Sequence, residues 1–179
     1  MFTEIQLMQI RNKVMRILHV PGNYSGGILE MAIVADYHMS HDRLKEECSQ
    51  IAASLKRTDE VFSNVRLNLI KWAADDVIMK EISALPQLQM GRVFEDYDSY
   101  CEKGSISESK TLDELFRQLK LFYARSKVII VLTDGSYRVE NEEKVREYLN
   151  PFLYRKLLIL QQGGGISGND ILREILKFS

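Results

Sequence analysis

Two short apolar runs of the 179-residue chain end in an aspartate. The run MAIVAD ends at Asp36, and the stretch KVIIVLTDGS places Asp134 directly after a second run. Runs without a polar face are typical of strands that are buried on both sides. Because ligands of an open α/β sheet bind at the carboxyl ends of its strands, two carboxylates there predict a small site for a hard cation. For Asp134 alone, the Asp-Gly sequence is also explained as a chain reversal.

Polar side chains alternate after the first run, in the order Asp36, His38 and Ser40. In an extended segment, alternate positions point the same way, so these three side chains can face one site. The carboxylate and the hydroxyl are hard oxygen ligands that suit magnesium. The imidazole of His38 suits zinc, copper or nickel instead.

Helical and strand patterns alternate along the chain and position these residues. This order predicts an α/β fold with a three-layer, Rossmann-like arrangement, in which a mostly parallel central sheet carries helices on both faces. The two strands without alternation should be neighbours at the centre of the sheet. The predicted strands are residues 28–36, 65–72, 127–133 and 156–161. The predicted helices are residues 2–20, 41–57, 77–85, 111–126, 140–150 and 171–178. Residues 92–94 are predicted to form a short strand and residues 162–168 a flexible loop.

The composition limits the class of protein. A single domain over residues 1–179 is expected, with residues 1–22 as an N-terminal helical extension that covers the sheet or serves as a docking or dimer helix. The net charge of −1, with mixed signs along the chain, argues against nucleic acid as a partner. Neither a membrane span nor a signal peptide is expected. Cys48 and Cys101 are predicted to be free thiols of a cytoplasmic protein, and a disulfide between them is the alternative.

The motifs together resemble the von Willebrand factor type A (vWA) domain family over residues 28–179. MAIVADYHMS resembles the first strand of the family with its Asp-x-Ser-x-Ser metal motif, and VIIVLTDGS resembles a later strand with Thr-Asp-Gly. Thr111, at the start of a predicted helix, matches the family's single threonine ligand in order and context. KLLILQQGGGISGNDILREI resembles its last strand, glycine-bearing loop and final helix.

The resemblance implies a metal-ion-dependent adhesion site (MIDAS) that holds a divalent cation, usually magnesium. Its ligands would be Asp36, Ser40, Thr111 and Asp134, with the two aspartates acting partly through water. His38 stands where the family has its first serine. The site is then metal-free, or binds magnesium weakly with His38 turned aside, or prefers a transition metal; we expect a degenerate or weak site. Thr111 is also explained as a helix cap, because residues 111–114 form a capping-box pattern.

The function implied by the resemblance is a protein–protein interaction module or an adaptor subunit of an intracellular assembly. A protein partner would bind at the carboxyl edge of the sheet, through a divalent cation if one is held. The alternatives are a metal-free structural subunit and a metal-dependent hydrolase of related α/β fold. A haloacid-dehalogenase-type phosphatase needs Asp-x-Asp at the first strand, where this chain has His38, and no Gly-x-Ser-x-Gly elbow is present. Binding is therefore favoured over catalysis, while the oligomeric state stays open.

Overall fold

A computed structural model describes residues 2–20, 29–36, 39–56, 65–72, 77–84, 111–122, 124–134, 137–149, 157–162 and 165–167. In chain order these residues contain α1 (Glu4–Leu18), β1 (Leu29–Asp36), α2 (His41–Lys56), β2 (Val65–Trp72), β3 (Val77–Ala84), α3 (Leu112–Phe122), β4 (Val128–Thr133), α4 (Glu142–Leu149), β5 (Leu157–Gln162) and β6 (Gly165–Ser167). The chain therefore has a mixed α/β fold. Among the described helices, none has the length and apolar character that crossing a membrane requires.

The strands form one sheet in the order β3-β2-β1-β4-β5-β6. β1 runs parallel to both β2 and β4, and β4 runs parallel to β5. β3 and β6 are antiparallel to their neighbours. The predicted central pair is confirmed, since β1 and β4 are adjacent with Ala35 opposite Leu132. The strands β2 and β3 follow β1 on one side of it, and β4, β5 and β6 lie on its other side. The direction in which strands are added therefore reverses between β1 and β4.

Both faces of β1 and β4 are buried. Ala32 and Val34 point to one face, whereas Met31, Ile33 and Ala35 point to the other, and all five are fully buried. A strand in this position has no solvent side, which is why its sequence shows no alternation. The first face packs against α3 and α4 in a cluster of Ala32, Val34, Ile70, Trp72, Leu112, Leu115, Phe116, Leu119, Ile129, Val131 and Val145.

The N-terminal helix was predicted and is confirmed over Glu4–Leu18. Thr3 accepts the N–H of Gln6 while the Gln6 side chain accepts the N–H of Thr3, so a capping box begins the helix. α1 contacts α2 and β5 and buries Ile10 and Val14. It therefore packs on the domain.

Two sequence predictions on the outer strands are wrong. The segment predicted as a helix over residues 77–85 is the strand β3. It pairs antiparallel with β2, with Val77 opposite Trp72 at one end and Ala84 opposite Val65 at the other. Pairing with a neighbouring strand satisfies every second backbone group there, and this tertiary gain overrides the weak local preference. Part of the predicted loop is β6, in which Gly165, Ile166 and Ser167 pair antiparallel with Gln162, Gln161 and Leu160 of β5. The predicted short strand at residues 92–94 and the predicted last helix lie outside the described residues.

Candidate functional site at the carboxyl ends of β1 and β4

The carboxyl ends of β1 and β4 meet at the point where the strand order reverses. Asp36 is the last residue of β1, Thr133 is the last of β4, and Asp134 follows it directly. Because β1 and β4 are parallel neighbours, Asp36 and Asp134 lie at the same end of the sheet, as the sequence predicts. In doubly wound α/β proteins with this strand order, the crevice outside such a reversal point is where ligands bind.

Asp36 and Thr133 are joined by a buried hydrogen bond. The hydroxyl of Thr133 donates to Oδ2 of Asp36 at 2.5 Å, and both residues are fully buried. The carboxylate is therefore oriented by the neighbouring strand. Thr133 was not among the predicted site residues. The register of β1 against β4 identifies Thr133, because Ala35 lies opposite Leu132 and the next residues, Asp36 and Thr133, are therefore side by side.

Aromatic side chains lie beside this carboxylate. Trp72 ends β2 in register with Asp36, and its ring centroid is 5.5 Å from that of Tyr137 at an interplanar angle of 31°. Burial, and then the negative charge of Asp36, raise the pKa of Tyr137 to about 12. The Tyr137 hydroxyl thus senses the Asp36 carboxylate, so a change of charge at Asp36 should be visible at Tyr137.

Thr111 is placed by contacts between α3 and the segment after Asp134. Its backbone forms a parallel bridge with Arg138, whose carbonyl accepts the N–H of Leu112 at 2.8 Å. Its hydroxyl accepts the N–H of Glu114 at 3.3 Å, which confirms Thr111 as the cap of α3. The Glu114 carboxylate binds Arg117 at 2.6 Å instead of completing a capping box, and this hydrogen bond lowers the pKa of Glu114.

Ser40 lies at the start of α2, just beyond the end of β1. The N–H of Met39 donates to the carbonyl of Asp36 at 3.0 Å, which turns the chain out of the strand. The sequence leaves Ser40 and Asp42 as alternative caps of α2, and the structure selects Ser40, because its hydroxyl accepts the N–H of Arg43 at 3.3 Å. Tyr37 and His38, between Asp36 and Met39, lie outside the described residues.

The predicted donors suit a hard cation in their chemistry. Asp36 and Asp134 offer carboxylate oxygens, and Ser40 and Thr111 offer hydroxyl oxygens, the ligands that magnesium prefers. Each hydroxyl accepts one helix N–H and keeps a second lone pair for another partner. Within the described part of the chain, no cluster of three or more His, Cys, Asp or Glu side chains is arranged to hold a metal ion. A cation here would therefore depend on a mixed carboxylate and hydroxyl set.

The sequence matches no protein-family model and no curated protein.

Proposed function

We propose that this chain is a protein–protein interaction module of vWA type, serving as an adaptor subunit of an intracellular assembly. Its partner binds at the carboxyl ends of β1 and β4. The observation that carries this proposal is the position of Asp36, held by Thr133, and of Asp134 at the reversal point of the sheet. Asp36 is buried beside the packed rings of Trp72 and Tyr137, whereas Asp134 is half-buried and is the carboxylate of the two that a partner can reach.

The vWA type implies a three-layer arrangement with helices on both faces of the sheet. Support for one helical layer comes from α3 and α4, which pack on the face of Ala32 and Val34. Support for the other comes from the burial of Met31 and Ile33 on the opposite face, together with the contact between α1 and β5. We place α1 and α2 in that second layer.

The same site binds a divalent cation weakly. Asp36 is fully buried and already accepts a hydrogen bond from Thr133, so part of its demand for a positive partner is met within the protein. Ser40 and Thr111 likewise each serve as a helix cap. Magnesium, where bound, would be held by these residues and Asp134, and an acidic side chain of the partner would complete its coordination. In a metal-free structural subunit, the same edge would bind its partner directly.

The test is cation-dependent binding of acidic peptides. An immobilised array of glutamate- and aspartate-containing peptides is probed with the purified protein in magnesium and in excess chelator. We expect binding to be weakened at least about tenfold in Asp134→Ala, since one tenfold step corresponds to about 1.4 kcal/mol, the scale of one charged hydrogen bond. Asp42→Ala, which removes an exposed carboxylate from the first turn of α2, is the matched control and should bind normally.

The outcomes separate the alternatives. Binding that survives chelation but is lost in Asp134→Ala supports the metal-free subunit. Equal binding by the natural protein and Asp134→Ala would show that the partner does not use this edge. Because Trp72 is the single tryptophan and lies opposite Asp36 in the sheet, we expect magnesium bound at this edge to change its fluorescence.

The first prediction concerns His38 and the choice of metal. An imidazole among oxygen donors should weaken magnesium binding and favour nickel, copper or zinc if the ring reaches the ion. We therefore expect weak or absent magnesium binding by the natural protein and stronger binding by His38→Ser, measured by calorimetric titration. Tight binding by the natural protein, or no gain in His38→Ser, would show that His38 does not limit the site.

A further inference from the structure

The outward face of α1 carries large apolar side chains. Ile5 is 66% exposed and Met8 is 47% exposed, and they lie about one helical turn apart on the same side. This is unusual for a helix whose opposite face, with Ile10 and Val14, is fully packed. Exposed apolar side chains that cluster on one face mark interaction sites more often than single exposed ones do.

This face is held in place by α2. The Gln50 side chain accepts the N–H of Phe2 at 3.0 Å and donates to its carbonyl at 3.2 Å, so one amide group pairs with both backbone groups. The Ser54 hydroxyl donates to the carbonyl of Leu7 at 3.3 Å. Ile5 and Met8 are therefore presented on a fixed helix, which reduces the entropy that binding would cost.

A groove of about 520 Å³ lies between α1 and α2. Its walls include Ile5, Leu7 and Met8 from α1, together with Gln50, Ala53 and Ser54 from α2. Ala53 is exposed and small, and so it leaves room for a side chain from outside. The same patch thus offers both protruding apolar groups and a depression that can receive them.

Charges of opposite sign lie at the two ends of this patch. Glu4 and Arg11 both line the groove, and they are separated by about two helical turns, or roughly 10 Å along the axis. In the described part of the chain, neither of them forms an ion pair. A helix face with an acid at one end and a base at the other is complementary to itself when a second copy lies antiparallel to it.

We propose that the α1–α2 face is a two-fold symmetric homodimer interface. Ile5 and Met8 of each copy enter the groove of the other copy, and Glu4 of each copy pairs with Arg11 of the other. A second copy is the favoured occupant because the two-fold operation forms two identical Glu4–Arg11 pairs, so that all four charges are paired without any other residue. The proposal is independent of the proposed function, since it uses neither Asp36 nor Asp134.

The test is a charge exchange followed by sedimentation velocity from about 1 µM to about 100 µM, the range that covers typical weak dimers. The natural protein should sediment as a dimer, with twice the 20.7 kDa mass of one chain. High salt should lower the fraction of dimer, because it screens the ion pairs. In a dimer of either variant, Glu4→Arg or Arg11→Glu, residues 4 and 11 of facing copies carry the same charge at both contacts. Each variant should therefore raise the dimer dissociation constant about tenfold or more. An equimolar mixture of the two variants restores both pairs and should form heterodimers as tight as the natural dimer.

Arg146→Glu is the matched control, because it reverses an exposed charge on α4 and should leave dimerisation unchanged. A natural protein that stays monomeric across the range overturns the proposal. A mixture that fails to associate while both variants keep their native circular dichroism overturns the antiparallel pairing. The peptide-binding test does not depend on dimerisation, so the two proposals can fail separately.

Discussion

Thr133 donates its hydroxyl to a carboxylate that is fully buried with it. Thr133→Val keeps the shape of the side chain but removes the donor, so Asp36 loses a hydrogen bond where water does not replace it. We expect the free energy of unfolding to fall by about 1–3 kcal/mol. Denaturation in urea measures this change. Thr133→Ser keeps the hydroxyl and is the control; equal stability of the Val and Ser variants would contradict a role for this hydrogen bond.

Tyr137 allows a prediction of pH dependence. Its pKa rises from the ordinary value of 10.0 to about 12, first through burial and then through the charge of Asp36. The folded state thus favours the neutral phenol, and the resulting stability is present below pH 10 and is lost as the pH rises through about 12. The difference in tyrosinate absorbance between the natural protein and Tyr137→Phe should show this late titration.

Asp36→Asn tests the cause of the Tyr137 shift. Removing the negative charge should lower the pKa of Tyr137, while burial keeps it above the ordinary value. An unchanged pKa in Asp36→Asn would show that burial alone is responsible.

At the scale of elements, the start of α3 holds the segment between β4 and α4. The Asp113 carboxylate accepts the N–H of Glu140 at 2.9 Å and the N–H of Asn141 at 2.7 Å. Asn141 in turn caps α4 by accepting the N–H of Lys144. The Asp113 side chain thereby ties Glu140 and Asn141, just before α4, to the start of α3.

Asp113→Ala removes both of these hydrogen bonds. We expect a loss of about 1–2 kcal/mol in the free energy of unfolding, the range seen when a capping residue is truncated. Urea denaturation measures this loss. The control is Asp42→Ala, which removes an acidic side chain from the first turn of another helix and should lower the free energy of unfolding by only about 0.3 kcal/mol. Similar losses in the two variants would show that the contact contributes no more than a helix-terminal charge.

The central strands could be predicted from sequence because burial on both faces leaves an unbroken apolar run in each of them. The helix caps at Ser40 and Thr111 could also be predicted, since they depend on local hydrogen bonds. β3 could not, because its conformation is set by pairing with β2. The Asp36–Thr133 contact was likewise missed, as it depends on a register between strands distant in sequence.

For the whole molecule, the contact between Asp36 and Thr133 spans 97 residues of chain. At about 5–20 residues per second, a ribosome needs about 5–20 s to add that length, whereas a hairpin such as β2–β3 forms in microseconds. During synthesis β1 therefore waits with one apolar edge unpaired, which is the state of a nascent chain most prone to aggregate. We expect stalled chains that lack β4 to remain protease-sensitive and to recruit chaperones, and chains whose β4 has emerged to become resistant. Resistance already present before β4 would show that the first strands are stable without their central neighbour.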